Sequence, residues 1–183
     1  MKHYEFTAKF HVLYNQAVAR YAGGHRDPAT MFTKHEAAFL QANGITTQHL
    51  FDYAEDHNKY NGEPGFDIAL SIELVRRDYF LNAQHGHPSS VVLDETALPA
   101  KTDAVQGIEW LPRIIPKALA KLRGELPASL MYCCGGDRKF LKEHDILPSE
   151  FLAVLWRNET DPSAVVDWVV DRSAATKKAA AAP

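Results

Sequence analysis

The sequence predicts an all-α fold, a compact bundle of about eight helices built from two pseudo-repeated helical units. Three observations lead to this prediction. Apolar residues recur at helical spacing along most of the chain, glycines and capping residues separate these segments, and the order of the segments repeats after about 100 residues. Apolar side chains three and four residues apart lie on one face of an α-helix and rarely on one face of a strand.

The first half is predicted to hold four helices. Their apolar residues fall within the segments 6–21, 32–40, 50–53 and 66–75. Gly23-Gly24 ends the first helix and Gly44 the second, because glycine readily adopts the left-handed conformation on which helices end. Thr46 or Thr47 offers an N-cap hydroxyl to the third helix. The fourth is apolar nearly all round, so we expect it to be the most buried element of this half.

The second half is predicted to hold four more helices. The first of them carries Ile108, Leu111, Ile115, Leu119 and Leu122 and ends at Gly124. Pro116 requires this helix either to start later than the apolar pattern indicates or to kink, because proline inside a helix clashes with an earlier carbonyl. Asp137 is expected to cap the next helix, and Pro148 suits the first turn of the third. Thr160 or Asp161 is expected to cap the last.

Changes of composition along the chain predict the domain boundaries. Residues 1–84 form a first helical unit, 85–104 an irregular connector, 105–172 a second helical unit and 173–183 a disordered tail. A connector of this length without secondary structure is unusual unless it is functional or joins two units. The tail is rich in alanine and holds nothing large to bury. The two units are expected to form one globular domain.

A gapless offset of 101 residues aligns the two halves. The identical pairs are Ala17 with Ala118, Ala19 with Ala120, Gly23 with Gly124, Phe39 with Phe140, Leu40 with Leu141, and Ile45 with Ile146. Any two amphipathic helical segments can be slid into partial agreement, which is the alternative explanation. Because glycines, apolar positions and helix order agree over the same span, the pattern favours a tandem duplication whose two units stack to bury their apolar faces.

Part of the second half resembles a known family. The residues that carry the resemblance are Leu111-Pro112-Arg113, Ala118-x-x-Lys121-Leu122-x-Gly124, Tyr132, Asp137-x-x-Phe140-Leu141, Ile146, Phe151 and Trp168. Over residues 107–170 they are similar to an uncharacterised bacterial family of small helical domains of unknown function. The resemblance implies an α-helical fold and a cytoplasmic setting. It implies no reaction, cofactor or catalytic residue, so the cofactor and the catalytic residues stay unknown.

Charge and cysteine content narrow the class of protein. The net charge is −3 at pH 7, which offers no basic surface for nucleic acid. No segment approaches the roughly 20 apolar residues that span a bilayer, and the first residues lack the apolar run of a signal peptide. The two cysteines, Cys133 and Cys134, are neighbours and rarely bridge each other. We therefore expect a cytoplasmic protein that binds neither nucleic acid nor membrane and whose oligomeric state is unknown.

Residues 132–139 are the most distinctive segment, and two interpretations of them stay open. In a functional interpretation the loop amides and the helix N-terminus bind an anion, Arg138 helps to hold it, and Cys133 or Cys134 is a reactive thiol. In a structural interpretation Asp137 is an N-cap, the glycines form a turn, and the cysteines are small buried side chains. We favour the structural interpretation, because capping explains Asp137 completely.

His85 and His87 form a second candidate site in the connector. Two histidines one residue apart can share a metal ion, and His57 or Asp94 are further candidate ligands. A pair of histidines falls short of the ligand count of a structural zinc site. Solvated loop histidines are the commoner outcome, so we predict no metal site here.

Two classes of function remain. The first, which we prefer, is a non-catalytic module that binds a protein partner or a small ligand. The second is a small enzyme or metal-binding protein with a site at the junction of the two units and the connector, formed by Cys133, Cys134, Arg138, His85 and His87. An enzyme site would gather such residues around a concave pocket, whereas an adaptor would expose a broad apolar patch.

Overall fold

The structure, a computed structural model, describes residues 3–180, and its chain divides into two compact units. The first spans Met1–Pro88 and the second Ser89–Pro183, so the boundary falls inside the predicted connector. Within the described residues the chain forms eight α-helices, one short 3-10 helix and one two-stranded sheet. The predicted all-α fold of about eight helices is confirmed.

The first unit consists of four helices. These are α1 (His3–Ala22), α2 (Lys34–Gln41), α3 (Thr47–Lys59) and α4 (Phe66–Asn82). Its core is a cluster of aromatic and aliphatic side chains from α1, α2, α3 and the loops between them. The largest fully buried apolar members are Phe6, Phe10, Leu40, Ile45 and Leu50.

The second unit begins with a loop segment and then repeats the four-helix order. The loop segment holds the 3-10 helix Glu95–Ala97 and the antiparallel strands β1 (Ala104–Val105) and β2 (Ile108–Glu109). The helices are α5 (Leu111–Arg123), α6 (Gly135–Glu143), α7 (Pro148–Arg157) and α8 (Pro162–Ala180). The β-turn between the strands has positive φ at both Gln106 and Gly107, as a two-residue type I′ turn requires.

Most of the predicted helix ends are confirmed. The hydroxyl of Thr46 accepts a hydrogen bond from the backbone N–H of His49 and caps α3. Asp161 accepts from the backbone N–H groups of Ser163 and Ala164 at the start of α8. Gly124 ends α5 with a φ of 73°, in the left-handed region. These helix ends could be predicted from the sequence because a cap is an interaction between residues that are close in sequence.

Three boundary predictions are wrong. Ile108 lies in β2, so α5 starts later than the apolar pattern indicates and contains Pro116 in its interior. Phe32 precedes α2, whose N-cap is Thr33. The segment 173–180, predicted as disordered, continues helix α8, and Ser173 within it is buried. Residues 181–183 of that predicted tail lie outside the described part of the chain.

Helix α4 does not fully bury several of the apolar residues from which its burial was predicted. Phe66, Leu70 and Leu74 are only half-buried, whereas Glu73 and Arg77 are buried. The Glu73 carboxylate accepts a hydrogen bond of 2.9 Å from the Tyr53 hydroxyl on α3. Because hydrogen-bonded partners stabilise a buried carboxylate, α4 can turn charged residues inward where the sequence pattern predicts apolar ones.

The two units share helix positions at the predicted offset. Helices α2 and α6 begin at Lys34 and Gly135, and α3 and α7 begin at Thr47 and Pro148, so each pair lies 101 residues apart. The chain also bends alike after α2 and after α6, where Gly44 and Asp145 both have positive φ. These matches agree with the gapless alignment of the two halves. A tandem duplication as their origin stays a prediction.

An ion pair in the first unit gives an expected dependence of stability on pH. Arg20 donates two hydrogen bonds to the Glu36 carboxylate, of 2.9 and 3.1 Å, and these lower the pKa of Glu36 from 4.5 to about 2. A lowered folded-state pKa contributes stability that is present above the unfolded pKa and is lost as pH falls through the folded one. We expect this contribution to be complete above pH 4.5 and to vanish by about pH 2.

The measurement is a series of thermal melts of the protein and of its Glu36→Gln variant. The difference in melting temperature is expected to be largest at neutral pH and to shrink steadily between pH 4.5 and about pH 2. A Glu5→Gln variant, which removes an exposed carboxylate of the same unit, is the matched control. A Glu36→Gln difference that stayed constant down to pH 2 would contradict the assigned ion pair.

Candidate functional site

A concave cleft of about 360 Å³ lies in the second unit. It is formed by the loop before β1, by the strand β2 and its turn, by one face of α6 and by the end of α8. The residues that line it are Lys101, Gly107, Ile108, Glu109, Trp110, Gly136, Lys139, Phe140, Glu143, His144 and Lys177. Its volume is within the range of about 300–1,000 Å³ that is typical of small-molecule sites.

Trp110 forms one wall of the cleft and is held in an unusual conformation. Its φ is 69°, in the left-handed region, although it carries a bulky side chain. Such a backbone costs about 1–2 kcal/mol in a residue other than glycine. The indole lies directly on Gly136 of α6, where an added Cβ would come within 2.5 Å of the ring. The indole Nε1–H also donates a hydrogen bond of 3.0 Å to Asp137.

Behind this wall lies a buried ion pair. The Asp137 side chain is fully buried, and its Oδ2 accepts a hydrogen bond of 2.8 Å from Lys117 Nζ on α5. The same oxygen accepts 2.9 Å from the backbone N–H of Cys133. With the indole of Trp110 on Oδ1, the carboxylate therefore has three donors. These bonds fix the segment before α6, and with it one side of the cleft, against α5.

Lys117 is charged although it is only 5% exposed. Burial lowers the pKa of Lys117, but the charges and hydrogen bonds of Asp137 and Cys134 outweigh it, so that the pKa is raised above its usual 10.5. Its Nζ lies 3.2 Å from Cys134 Sγ. A buried ammonium that is paired in this way is charged at pH 7.

The rim of the cleft carries more positive than negative charge. Its cations are Lys101, Lys139 and Lys177, and its anions are Glu109 and Glu143. Within residues 3–180 no ion pair joins any of these five side chains to another residue, and all five are exposed. Three unpaired ammonium groups around an apolar wall can hold an anionic group by charge-assisted hydrogen bonds.

His144 closes the cleft at the C-terminal end of α6. Its ring lies 4.6 Å from the ring of Phe140, measured between centroids. Burial lowers the pKa of His144 below 6.5, and the nearby Lys177 adds to this while Glu143 opposes it. The imidazole is therefore neutral at pH 7. The wall formed by His144, Phe140 and Trp110 is thus aromatic and uncharged, and the ammonium groups lie around it.

Three of the five predicted site residues come together, but not in the cleft. Cys133 is fully buried, Cys134 is half-buried, and neither forms a disulfide within residues 3–180. Arg138 is buried and donates a hydrogen bond of 2.8 Å to the carbonyl of Cys133. None of the three is among the described residues that line the cleft. Arg138 thus binds the backbone of its own segment, and an anion-binding role for its side chain stays a prediction.

Asp137 is not the N-cap that its sequence predicted. The N-cap of α6 is Cys134, and Asp137 lies in the third helical position with its side chain turned inward. Lys117, from 20 positions earlier in the chain, provides the partner that draws the carboxylate away from the helix end. Asp137 therefore has a structural role, as predicted, but its partners are Lys117, Trp110 and the backbone N–H of Cys133 rather than the amides of α6.

His85 and His87 belong to the first unit and lie in the turn that follows α4. Both are exposed, and His85 has a φ of 53°. Of the residues from 3 to 180, no three histidine, cysteine, aspartate or glutamate side chains come close enough together to hold a metal ion. The metal ligands considered with these two residues are thus not assembled within this part of the chain.

The sequence interpretation missed Trp110, Lys117, Lys139 and His144. One signal was present for Lys117, because Leu111, Ile114 and Ala118 define a buried face of α5 on which Lys117 also falls. The predicted face ran through Ile115 and Leu119 instead, and these are half-buried. Trp110 and Lys139 gave no signal, since their place in the cleft depends on contacts between segments that are distant in sequence.

Comparison with known proteins adds no further assignment. No protein-family model, no curated protein and no solved structure matches the chain. The resemblance of residues 107–170 to a family of helical domains therefore stays a prediction. Across the described residues, every helix is too short or too polar to cross a bilayer. The class of protein that fold and site define is a helical protein with a concave, mixed-charge cleft in its second unit.

Proposed function

We propose that this chain is a non-catalytic, small-ligand-binding protein of the cytoplasm, and that its ligand is a small organic anion with a planar apolar body. The observation that carries the proposal is the cleft of the second unit. It combines the indole of Trp110, a residue with a left-handed backbone, with ammonium groups that have no carboxylate partner. A planar body would lie against Trp110 and Phe140, and an anionic group would reach Lys139 or Lys177.

The strain at Trp110 supports a binding role for this wall. A left-handed backbone in a bulky residue persists only where its surroundings hold it, and such residues cluster at functional sites. Here Gly136 and Asp137 hold the indole in place. Because this aromatic wall is already ordered, less conformational entropy of the protein is lost when a ligand binds.

The enzyme alternative lacks support in the cleft. It predicted that Arg138, a cysteine and a histidine of the connector gather around a concave pocket. The described lining of the cleft holds His144 but none of those residues. No nucleophile there lies beside a general base, which covalent catalysis requires. We therefore keep binding as the proposed activity.

A pair of matched dyes tests the proposal. Anilinonaphthalene sulfonate is a planar anion, and phenylnaphthylamine has nearly the same body without the sulfonate. We expect the sulfonate dye to bind one site in the second unit, with energy transfer from tryptophan to the dye. Raising the salt concentration is expected to weaken the sulfonate dye more than the neutral one, because salt screens the exposed ammonium groups.

Charge reversal locates the site. The Lys139→Glu/Lys177→Glu variant is expected to lower the affinity for the sulfonate dye by about tenfold, which corresponds to about 1.4 kcal/mol. Lys178→Glu is the matched control, because Lys178 adjoins Lys177, is equally exposed and does not line the cleft. Circular dichroism checks that each variant is folded. An equal loss of affinity in Lys139→Glu/Lys177→Glu and in Lys178→Glu, or no saturable binding at all, would rule the cleft out.

A further inference from the structure

We propose that Cys134 is a site of reversible oxidation by hydroperoxides, and that Lys117 and the N-terminus of α6 hold the resulting sulfenate. The proposal concerns the segment behind the cleft and does not depend on the ligand proposed above. It rests on one contact of the sulfur, with the ammonium of Lys117 at 3.2 Å, and on the position of Cys134 as the N-cap residue of α6, which begins at Gly135.

Lys117 has a hydrogen-bond donor left for an added oxygen. An ammonium group carries three N–H donors. One is directed to Asp137 at 2.8 Å and one to the sulfur of Cys134. Within residues 3–180 the third N–H has no acceptor, although the Lys117 side chain is only 5% exposed. A buried charged donor without an acceptor is costly, so an oxygen atom placed on the sulfur would be stabilised by it.

The N-terminus of α6 is also without a cap. Cys134 is its N-cap residue, with extended backbone angles of −63° and 173°, and no side chain caps the helix. The first amide bonded within the helix is that of Arg138, which donates to the carbonyl of Cys134. In the described chain the N–H groups of Gly136 and Asp137 meet no acceptor. A thiol accepts hydrogen bonds weakly, whereas an oxygen one bond beyond the sulfur would act as a serine-like cap.

The chemical step is a two-electron oxidation of the thiol. The sulfur attacks one oxygen of a hydroperoxide, a sulfur–oxygen bond forms, and the oxygen–oxygen bond breaks. The departing oxygen takes up the thiol proton and leaves as an alcohol or as water, so that the sulfur is oxidised and the peroxide is reduced. The sulfenic acid then loses its proton to solvent, and the sulfenate is placed between the ammonium and the helix amides. A small dithiol then returns the sulfenic acid to the thiol: its first sulfur displaces the sulfenic oxygen as water and forms a mixed disulfide, and its second sulfur releases the Cys134 thiol and closes the dithiol into a disulfide.

The neighbouring cysteine is a control that the chain itself provides. Cys133 is 0% exposed, whereas Cys134 is only partly buried. Exposure decides which thiols react with peroxide. Cys133 lies outside α6: its φ is 68°, and its N–H donates to Asp137. Cys134, not Cys133, is therefore the residue next to the free amides of the helix N-terminus. Oxidation is therefore expected at Cys134 alone.

The experiment treats the folded full-length protein with hydrogen peroxide in the presence of dimedone, which traps sulfenic acids. Intact mass and peptide mapping then locate the label. One dimedone on Cys134 and none on Cys133 is the expected result, with recovery of the free thiol after dithiothreitol when dimedone is omitted. Label on Cys133, label on neither residue, or loss of both thiol hydrogens to a Cys133–Cys134 disulfide would overturn the proposal.

Two variants test the stabilising contacts. Cys134→Ser keeps a capping atom, and we expect it to remain folded and to take up no dimedone. Lys117→Gln/Asp137→Asn removes both charges together, so that neither is left buried and unpaired. In that variant the sulfenate is expected to decay several-fold faster to the sulfinic acid. An unchanged lifetime in a folded double variant would show that Lys117 does not hold the oxidised sulfur.

Discussion

Replacing Asp137 by alanine is expected to destabilise the second unit by about 3–5 kcal/mol, the cost of breaking a buried ion pair by removing one partner. The substitution leaves the ammonium of Lys117 buried and uncompensated, because that side chain is 5% exposed. It also removes the acceptor for the Trp110 indole and for the backbone N–H of Cys133. Each of these three donors then loses its carboxylate acceptor, and a buried donor without its acceptor is costly.

Urea unfolding followed by tryptophan fluorescence measures this effect in the unit concerned. All three tryptophans of the chain, Trp110, Trp156 and Trp168, belong to the second unit, so their emission reports on it alone. The control is Lys117→Met/Asp137→Leu, which replaces both charges by apolar groups of similar size. Such replacements are often neutral, so the double variant should regain the part of the lost stability that the uncompensated charge of Lys117 causes. If the double variant is no more stable than Asp137→Ala, the pair is not the cause.

Leu141→Ala is expected to destabilise the same unit by about 2–4 kcal/mol, as truncation of a buried leucine does. Leu141 lies on the inner face of α6 and is 1% exposed. Deleting its side chain removes apolar surface from the core and leaves a cavity that the rigid surroundings fill only in part.

Leu147→Ala is the matched control for this truncation. Leu147 lies six residues further along the chain and is 58% exposed, so its loss should change stability by less than about 0.5 kcal/mol. Both variants are measured by the same urea titration with tryptophan emission. A loss below about 0.5 kcal/mol in Leu141→Ala would mean that α6 presents another face to the core.

The helices of this chain were predictable because their signals are local. Thr46, Gly124 and Asp161 act on residues a few positions away, and the apolar spacing of α1 is set by one helix face. The same reasoning went wrong where a distant residue decides. Asp137 has the chemistry of a helix cap, but Lys117 draws it inward, and no local pattern contains that information.

The cleft was not predictable for a related reason. Its lining comes from a loop, a β-turn, the flank of α6 and the end of α8, a segment that the composition predicted to be disordered. Alanine-rich, lysine-containing sequence suits a helix as well as a disordered tail. The left-handed backbone of Trp110 also has no sequence signature, since tryptophan rarely adopts it. Tertiary contacts alone make that conformation stable.

The contact between Trp110 and Gly136 constrains how this protein can diverge. The indole occupies the space in which any side chain at position 136 would begin, with ring atoms 2.5 and 2.6 Å from an added Cβ. A larger residue at 136 is therefore compatible only with a smaller one at 110, and the two positions must change together. Pairwise covariation of these two sites would thus mark, in any set of homologous sequences, which members retain the aromatic wall of the cleft.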